Sequence, residues 1–167
     1  MELINKNHII DKNYLHNLFD YKDGILYWKI NKGRAKKGSE AGCLSKGRKL
    51  IKLNQKIYGV HRIIFCYHNG FLPNSDIDHI DCNPLNNKIE NLRIASDSEN
   101  RFNTKKYKIN TSGYKNINWD KSRNKWEVKI NVNNKKIFLG RYDDIELADL
   151  VAIMAREKYH KQFANHG

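Results

Sequence analysis

The segment from Asp78 to Asn100 reads DHIDCNPLNNKIENLRIASDSEN. It opens on a carboxylate and an imidazole side by side, Asp78-His79, and carries amides further on at Asn91 and Asn100. Phosphodiester hydrolysis needs a base to activate water, a divalent ion to stabilise the leaving oxygen, and a group that fixes the tautomer and orientation of the base. An Asp-His pair followed by amides can meet all three needs. Oxygen donors of this kind suit one hard ion, magnesium or manganese, better than zinc. Neighbours in a regular strand point to opposite faces, so Asp78 and His79 cooperate only where the chain bends or ends, as Asn83 and Pro84 allow. Residue types alone leave a second reading open: a hydrogen-bonded surface pair beside an Asn-rich turn.

Downstream, Ser96-Asp97-Ser98-Glu99 has the spacing of a capping box and predicts a helix through Asn100, Arg101 and Asn103. Upstream, His61 to His68 predicts an apolar-faced helix stopped by Asn69-Gly70. His61 reads as a capping or packing residue, with a substrate or site contact as the alternative. Leu50–Leu53 and Lys56–Val60 predict a hairpin around Asn54-Gln55. Residues 31–49, rich in Lys, Arg, Gly and Ser, predict a loop or twisted hairpin. Lys12–Phe19 predicts a short helix, Tyr21–Gly24 a turn, and Ile25–Ile30 a strand.

The 167-residue chain holds 31 Lys+Arg against 18 Asp+Glu, a formal net charge of +13, which favours a polyanionic partner through counterion release. The basic excess is +6 in residues 1–104, +3 in 105–110 and +4 in 111–167, spread along the chain rather than gathered in one tail. The apolar fraction of 40% excludes a wholly disordered chain. No apolar run reaches the ~20 residues of a membrane span. The N-terminal MELINKNHIIDKN lacks a secretory h-region, so a cytoplasmic, non-secreted protein is expected. Cys43, Cys66 and Cys82 are widely spaced and argue against a disulfide framework or a Cys-ligated zinc knuckle. His8, His16, His160 and His166 have no assigned partner, and Asp81 reads as a supporting or a structural loop residue.

With these residues in place, the segment closely resembles the HNH endonuclease family, in the branch common in phages and mobile introns. The resemblance rests on His61-Arg62, Asp78-His79-Ile80-Asp81, Asn86-Asn87, Glu90-Asn91-Leu92-Arg93 and Glu99-Asn100 with Asn103. It implies a ββα-metal module of two short strands, a loop and a helix around one divalent ion. It further implies that His79 is the general base, that Asp78 and Asn100 ligate the ion, and that Asn91 pins the loop and orients His79 or supports the site less directly. Cys82 stands where many relatives have Gly.

Residues 111–167 have a different pattern. Tyr114–Trp119, Lys125–Asn131 and Lys135–Gly140 predict three strands, with a tight turn at Asn133-Asn134. Ile145–Tyr159 predicts an amphipathic helix whose stripe is Leu147, Ala148, Val151, Ala152, Ala155 and Tyr159, capped by Asp143 or Asp144. Trp126, Val128 and Ile130 alternate with Glu127, Lys129 and Asn131, leaving a polar, cationic sheet face. Gly113-Tyr114-Lys115, Lys125-Trp126 and Phe138-Leu139-Gly140 resemble the Apetala-type (ethylene-response-factor) DNA-binding domain. That resemblance implies a sheet in the major groove, with Lys115, Asn118, Lys129, Asn131, Lys136, Phe138 and Arg141 on the contact face. Trp119, Lys121 and Arg123 would then touch the DNA backbone. Several family arginines are Lys or Asn here, which implies an altered or relaxed sequence preference.

The fold expected is therefore α+β. A nuclease domain spans residues 1–104 (core 56–104), a basic linker spans 105–110, and a three-stranded antiparallel sheet with one helix spans 111–167. The function expected is a metal-dependent DNA endonuclease, phage-encoded or homing, acting as a monomer on double-stranded DNA. The alternatives are an inactive sequence-specific DNA-binding regulator and an RNA-directed protein.

Overall fold

A computed structural model describes residues 10–106 and 109–167. Residues 1–9, with His8 and most of the stretch read for a leader, lie outside the described residues, as do Tyr107 and Lys108 of the basic linker. The fold is mixed α and β, with small antiparallel sheets and several helices. It divides into two compact units between Ile94 and Ala95, ahead of the 105–110 linker on which the sequence reading divides the chain.

In the first unit, helix α1 (Lys12–Leu18) starts where the Asp11 side chain accepts the Tyr14 N–H at 2.8 Å. A hairpin of β1 (Phe19–Lys22) and β2 (Ile25–Trp28) follows. Strands β3 (Cys43–Ser45), β4 (Arg48–Leu53) and β5 (Lys56–Gly59) form a sheet in that order, and helix α2 (Val60–Asn69) ends on Gly70. Strands β6 (Asp76–His79) and β7 (Leu92–Ala95) pair as a two-stranded ribbon. Local chemistry explains much of this. The turns Asp23-Gly24, Lys46-Gly47 and Asn54-Gln55 all have positive φ at both residues, the geometry that joins right-twisted strands through two residues. Leu15, Phe19, Leu26, Ile63, Ile64 and Cys66 are wholly buried between α1, α2 and the strands. Each large apolar side chain buried this way contributes about 1.5–3 kcal/mol.

In the second unit, α3 (Asp97–Phe102) carries a complete capping box: the Glu99 N–H donates to Ser96 Oγ, and the Ser96 N–H donates to the Glu99 carboxylate at 2.8 Å. Strands β8 (Ile117–Asp120), β9 (Lys125–Val132) and β10 (Lys135–Tyr142) form an antiparallel sheet in the order β10-β9-β8. Helix α4 (Ile145–His160), capped by Asp144, covers the face that holds Ile117 and Val128. Ala148 and Ala152 are small enough to let helix and sheet approach closely.

Three local expectations need correction. The first strand starts at Ile117 rather than Tyr114, because Ser112 Oγ engages the Tyr114 and Ile117 carbonyls and holds residues 112–116 as a turn. The third strand, expected over Lys135–Gly140, runs on to Tyr142, with a register shift between Phe138 and Gly140. The stripe of α4 is rotated: Leu147 is exposed, whereas Arg156 and His160 are buried.

Arg156 is the unexpected core residue. Its guanidinium donates to the Lys115 carbonyl at 2.8 Å, to Asn116 Oδ1 and to His166 Nδ1, and it lies 3.6 Å from the Asp149 carboxylate. Burial pushes its pKa down, against Asp149 and Glu157. Replacing it leaves buried acceptors and Asp149 without their donor, so Arg156→Ala is expected to destabilise the second unit by about 3 kcal/mol. Urea unfolding followed by fluorescence of the indoles Trp119 and Trp126 measures this directly.

Candidate active site

Strand β6 ends at His79, and the Cys82 N–H closes a turn onto the His79 carbonyl at 2.9 Å. The strand thus ends at His79, the condition under which adjacent side chains can serve one place. Asp78 is 5% exposed, and its Oδ2 accepts both Arg93 Nε at 2.9 Å and Arg93 Nη2 at 2.8 Å from the paired strand β7. His79 is half-buried, and its Nε2 lies 2.9 Å from Asn87 Oδ1. A carbonyl oxygen only accepts, so Nε2 carries the proton and Nδ1 is the basic nitrogen.

Asn91 is buried and bonded throughout. Its Oδ1 accepts the Asp81 N–H at 3.0 Å, while Nδ2 donates to Asp81 Oδ1 and to the Asn86 carbonyl. Asp81 in turn accepts from the Asn83 N–H and from Asn86 Nδ2. Burial works to raise the Asp81 carboxyl, but hydrogen bonds from Asn86, Asn83 and Asn91 outweigh it and hold it below its usual range. Asn91 thus shapes the 80–86 loop, while the side chain bonded to the His79 ring is Asn87.

Two neighbours support Asn87. Tyr21 Oη accepts the Ile89 N–H at 3.1 Å. Gly24, at the tip of the β1–β2 hairpin with φ +83°, approaches so closely that a Cβ there would lie 2.7 Å from Lys88 N and 2.9 Å from Asn87 C. The hairpin tip therefore abuts the backbone that carries the Asn87 side chain.

His61 stands beside the site: its ring centroid is 5.1 Å from that of His79. Gly59 makes the space, since a Cβ there would sit 2.4 Å from the His61 ring. Burial, then His79, Arg48 and Arg62, push the His61 pKa down to about 4, against Asp76.

Asn100 lies on α3 in the second unit. Of the residues expected to face DNA, Asn118, Lys129, Asn131, Lys136 and Phe138 share one sheet face by register, and Glu127 lies among them. Arg141 pairs with Asp120 at 2.8 Å and with Glu127 at 3.0 Å, and lies over the Phe138 ring. Trp119 is opposite Trp126 and stacks on it edge-on, on the helix side of the sheet rather than on the polar face. Lys121 and Arg123 lie in the β8–β9 turn, with Arg123 3.5 Å from Asp120. Lys115 Nζ donates to the carbonyls of Phe102, Thr104 and Asn165.

A sequence profile of the HNH endonucleases matches residues 58–102, from β5 through α3. Protein 3.8 of Escherichia phage T7 is 39% identical over 97 residues, covering 58% of this chain and 79% of that protein. The chain belongs to the HNH endonuclease family. No solved structure gives a significant match. The matched HNH segment crosses the boundary between the two units, because it ends in α3.

Sequence reasoning assigned no role to Asn87, Arg93, Tyr21 or Gly24. Asn87 and Arg93 fall inside the quoted motif, so the signal was present. Tyr21 and Gly24 lie about sixty residues away, and nothing local ties them to it.

The hydrogen bond from His79 predicts its tautomer. Long-range 1H–15N spectra should show His79 protonated at Nε2 in the wild type and mixed in Asn87→Ala. Gly24→Ala should produce the same mixing and lose about 1–2 kcal/mol, from its left-handed φ and the blocked approach. His61 predicts a pH dependence. Its folded form resists the proton that the unfolded chain accepts near pH 6.5, so stability is full above that pH and falls as pH drops toward 4. The loss approaches about 3 kcal/mol. Urea titrations at several pH values should show this slope, and His61→Gln should flatten it.

Proposed function

We propose that the protein is a divalent-metal-dependent endonuclease that hydrolyses phosphodiester bonds in double-stranded DNA, and that its second unit is a DNA-binding module of the Apetala type. The observation that carries this reading is the Asn87–His79 hydrogen bond at the end of β6, inside the segment matched by the HNH family. The relative from phage T7 supports a phage-encoded setting, homing or otherwise.

The donor chemistry fits a hard ion. Among the described residues no three His, Cys, Asp or Glu side chains gather as a metal cluster. Magnesium and manganese suit such a sparse set, since magnesium keeps several waters and leans on one or two protein oxygens plus substrate phosphate. Asp78 and Asn100 would hold the ion, which when bound stabilises charge on the leaving 3′ oxygen.

The chain's own residues do the rest. His79 Nδ1 takes the proton from the attacking water. Asn87 keeps Nε2 protonated and the ring in place, so the lone pair needed for that transfer is always on Nδ1. Arg93 fixes the Asp78 carboxylate from β7. Asn91 holds the intervening loop and acts on His79 through the backbone.

One observation favours a second reading. The Arg93–Asp78 pair is also what a structural ion pair looks like, and a DNA-binding regulator with an inactive nuclease fold would keep it.

Supercoiled plasmid incubated with magnesium or manganese decides between them. The endonuclease converts it to open-circular or linear DNA, a chelator abolishes this, and His79→Ala slows it by about 10²–10⁴-fold. Intact plasmid that is nonetheless bound by the wild type overturns the endonuclease in favour of the regulator.

A further inference from the structure

We infer that a groove within the second unit, between α3 with residues 104–106 on one side and the polar face of the β8–β10 sheet on the other, is the track for the phosphate backbone of one DNA strand. The inference rests on the DNA-binding reading above and deepens it.

The groove encloses about 680 Å³. Its cations are Arg101, Lys105, Lys106, Lys115, Lys129 and Lys136, and among the described residues no carboxylate lines it. Asn118, Asn131 and Asn134 add amides that donate to phosphate and pair with base edges.

The rest of the sheet face is different. Asp120 and Glu127 both grip Arg141, Arg123 also reaches Asp120, and Lys125 pairs with Asp143. Hydrogen bonds from Ser122 and Arg141 hold the Asp120 carboxyl far below its usual range, so it is charged at any physiological pH. That end is neutralised from within, and Arg141 would have to give up two ion pairs to reach a phosphate. Counterion release requires positive charge not already matched by the protein, and this lies in the groove.

The groove cations do not act alike. Lys115 is spent on main-chain carbonyls, Lys106 donates to the Gly113 carbonyl at 2.7 Å, and Lys129 pairs with Glu127 at 2.6 Å. Lys105 and Lys136 are exposed, stand on opposite walls, and make no ion pair among the described residues. They are the two direct phosphate contacts. Arg101 lies on α3 next to Asn100, so a strand held in the groove runs along the helix that carries the proposed metal ligand. The track thus includes Arg101 and Lys105, which a reading of the sheet alone omits, and excludes Lys121, Arg123 and Arg141.

The test is fluorescence anisotropy of a duplex oligonucleotide with the full chain, in chelator to prevent cleavage, at salt from 50 to 200 mM. A Lys105→Ala/Lys136→Ala protein should bind more weakly, with a log–log salt slope shallower by about 1.8, two contacts at ~0.9 each. Lys158→Ala, on α4 outside the groove, should match the wild type, and thermal melting should show all variants folded. If the double variant keeps the wild-type slope while Lys121→Ala/Arg123→Ala flattens it, the groove is overturned and DNA binding stands. If the wild type itself shows no salt-dependent DNA binding, the binding reading falls and the groove with it.

Discussion

The buried amide of Asn91 is the constraint on which the HNH loop depends. Both of its N–H groups and its carbonyl are used, on Asp81 and on the Asn86 backbone, and its own main chain bonds to Ile80 and Lys88. An unmet buried polar group costs about 1–3 kcal/mol, so these bonds form together or the loop takes another shape. Once they form, residues 80–87 have little freedom. Cys82 is driven to φ +57°, a left-handed conformation natural to Gly, and the chain tolerates it because the loop is held at both ends. The same closure delivers Asn87 to His79. The orientation of the His79 ring is thus set at one remove, and the β1–β2 hairpin abuts the Asn87–Lys88 backbone from the other side through Gly24, with Tyr21 bonded to Ile89.

Helix α3 poses a separate physical problem. A helix of six residues is far too short to be stable alone. Its capping box satisfies its N-terminus. Its C-terminus is held by the second unit: the Phe102 ring stacks on His160 at 3.8 Å, Lys115 caps the Phe102 and Thr104 carbonyls, and Asn165 donates to Asn103. Arg156, fully buried, holds the Lys115 and Asn116 segment and the His166 ring in turn. Lys115 looks like a DNA contact in sequence because it is a cation beside a polar strand. Its ammonium instead serves as a three-way strut, a role that needs the tertiary arrangement of 102–104 and 165 to be visible.

What the sequence made legible was local. The capping box, the stop at Gly70, and the turns at Asn54-Gln55 and Asn133-Asn134 are each written in a few adjacent residues, and each forms as read. Strand β7 was missed because Leu92–Ala95 is four residues long and sits in a run that also reads as motif. In α4, periodicity alone cannot separate Leu147 from the buried stripe, since it neighbours Ala148; the rotation is decided by Arg156 and His160, polar residues that burial would not suggest. At the site, Asp78 and His79 were legible as a pair. The loop role of Asn91 came with the family resemblance, but that the His79 ring bonds to Asn87 was not legible, because amides at 86, 87 and 91 are equivalent until the chain is folded.

Charge shows the same limit. A net +13 spread along the chain suggests a polyanion but says nothing about where its field emerges. Register settles that in the second unit. Glu127 faces Arg141 across one strand pair, and Asn118 faces Glu127 across the other. Arg141 is drawn onto Asp120 and Glu127, and this consumes the cation best shaped to read a guanine. Two strand positions further along β9, Lys129 still touches Glu127, and by Asn131 and Lys136 no carboxylate is opposite. The polar face therefore carries a gradient, from an internally neutral end to a positive one, and the positive end is where α3 and residues 104–106 form a wall. The lysines and asparagines of that face then have a physical consequence: its positive end presents point charges and amides rather than bidentate forks, which suits holding a backbone more than reading a base.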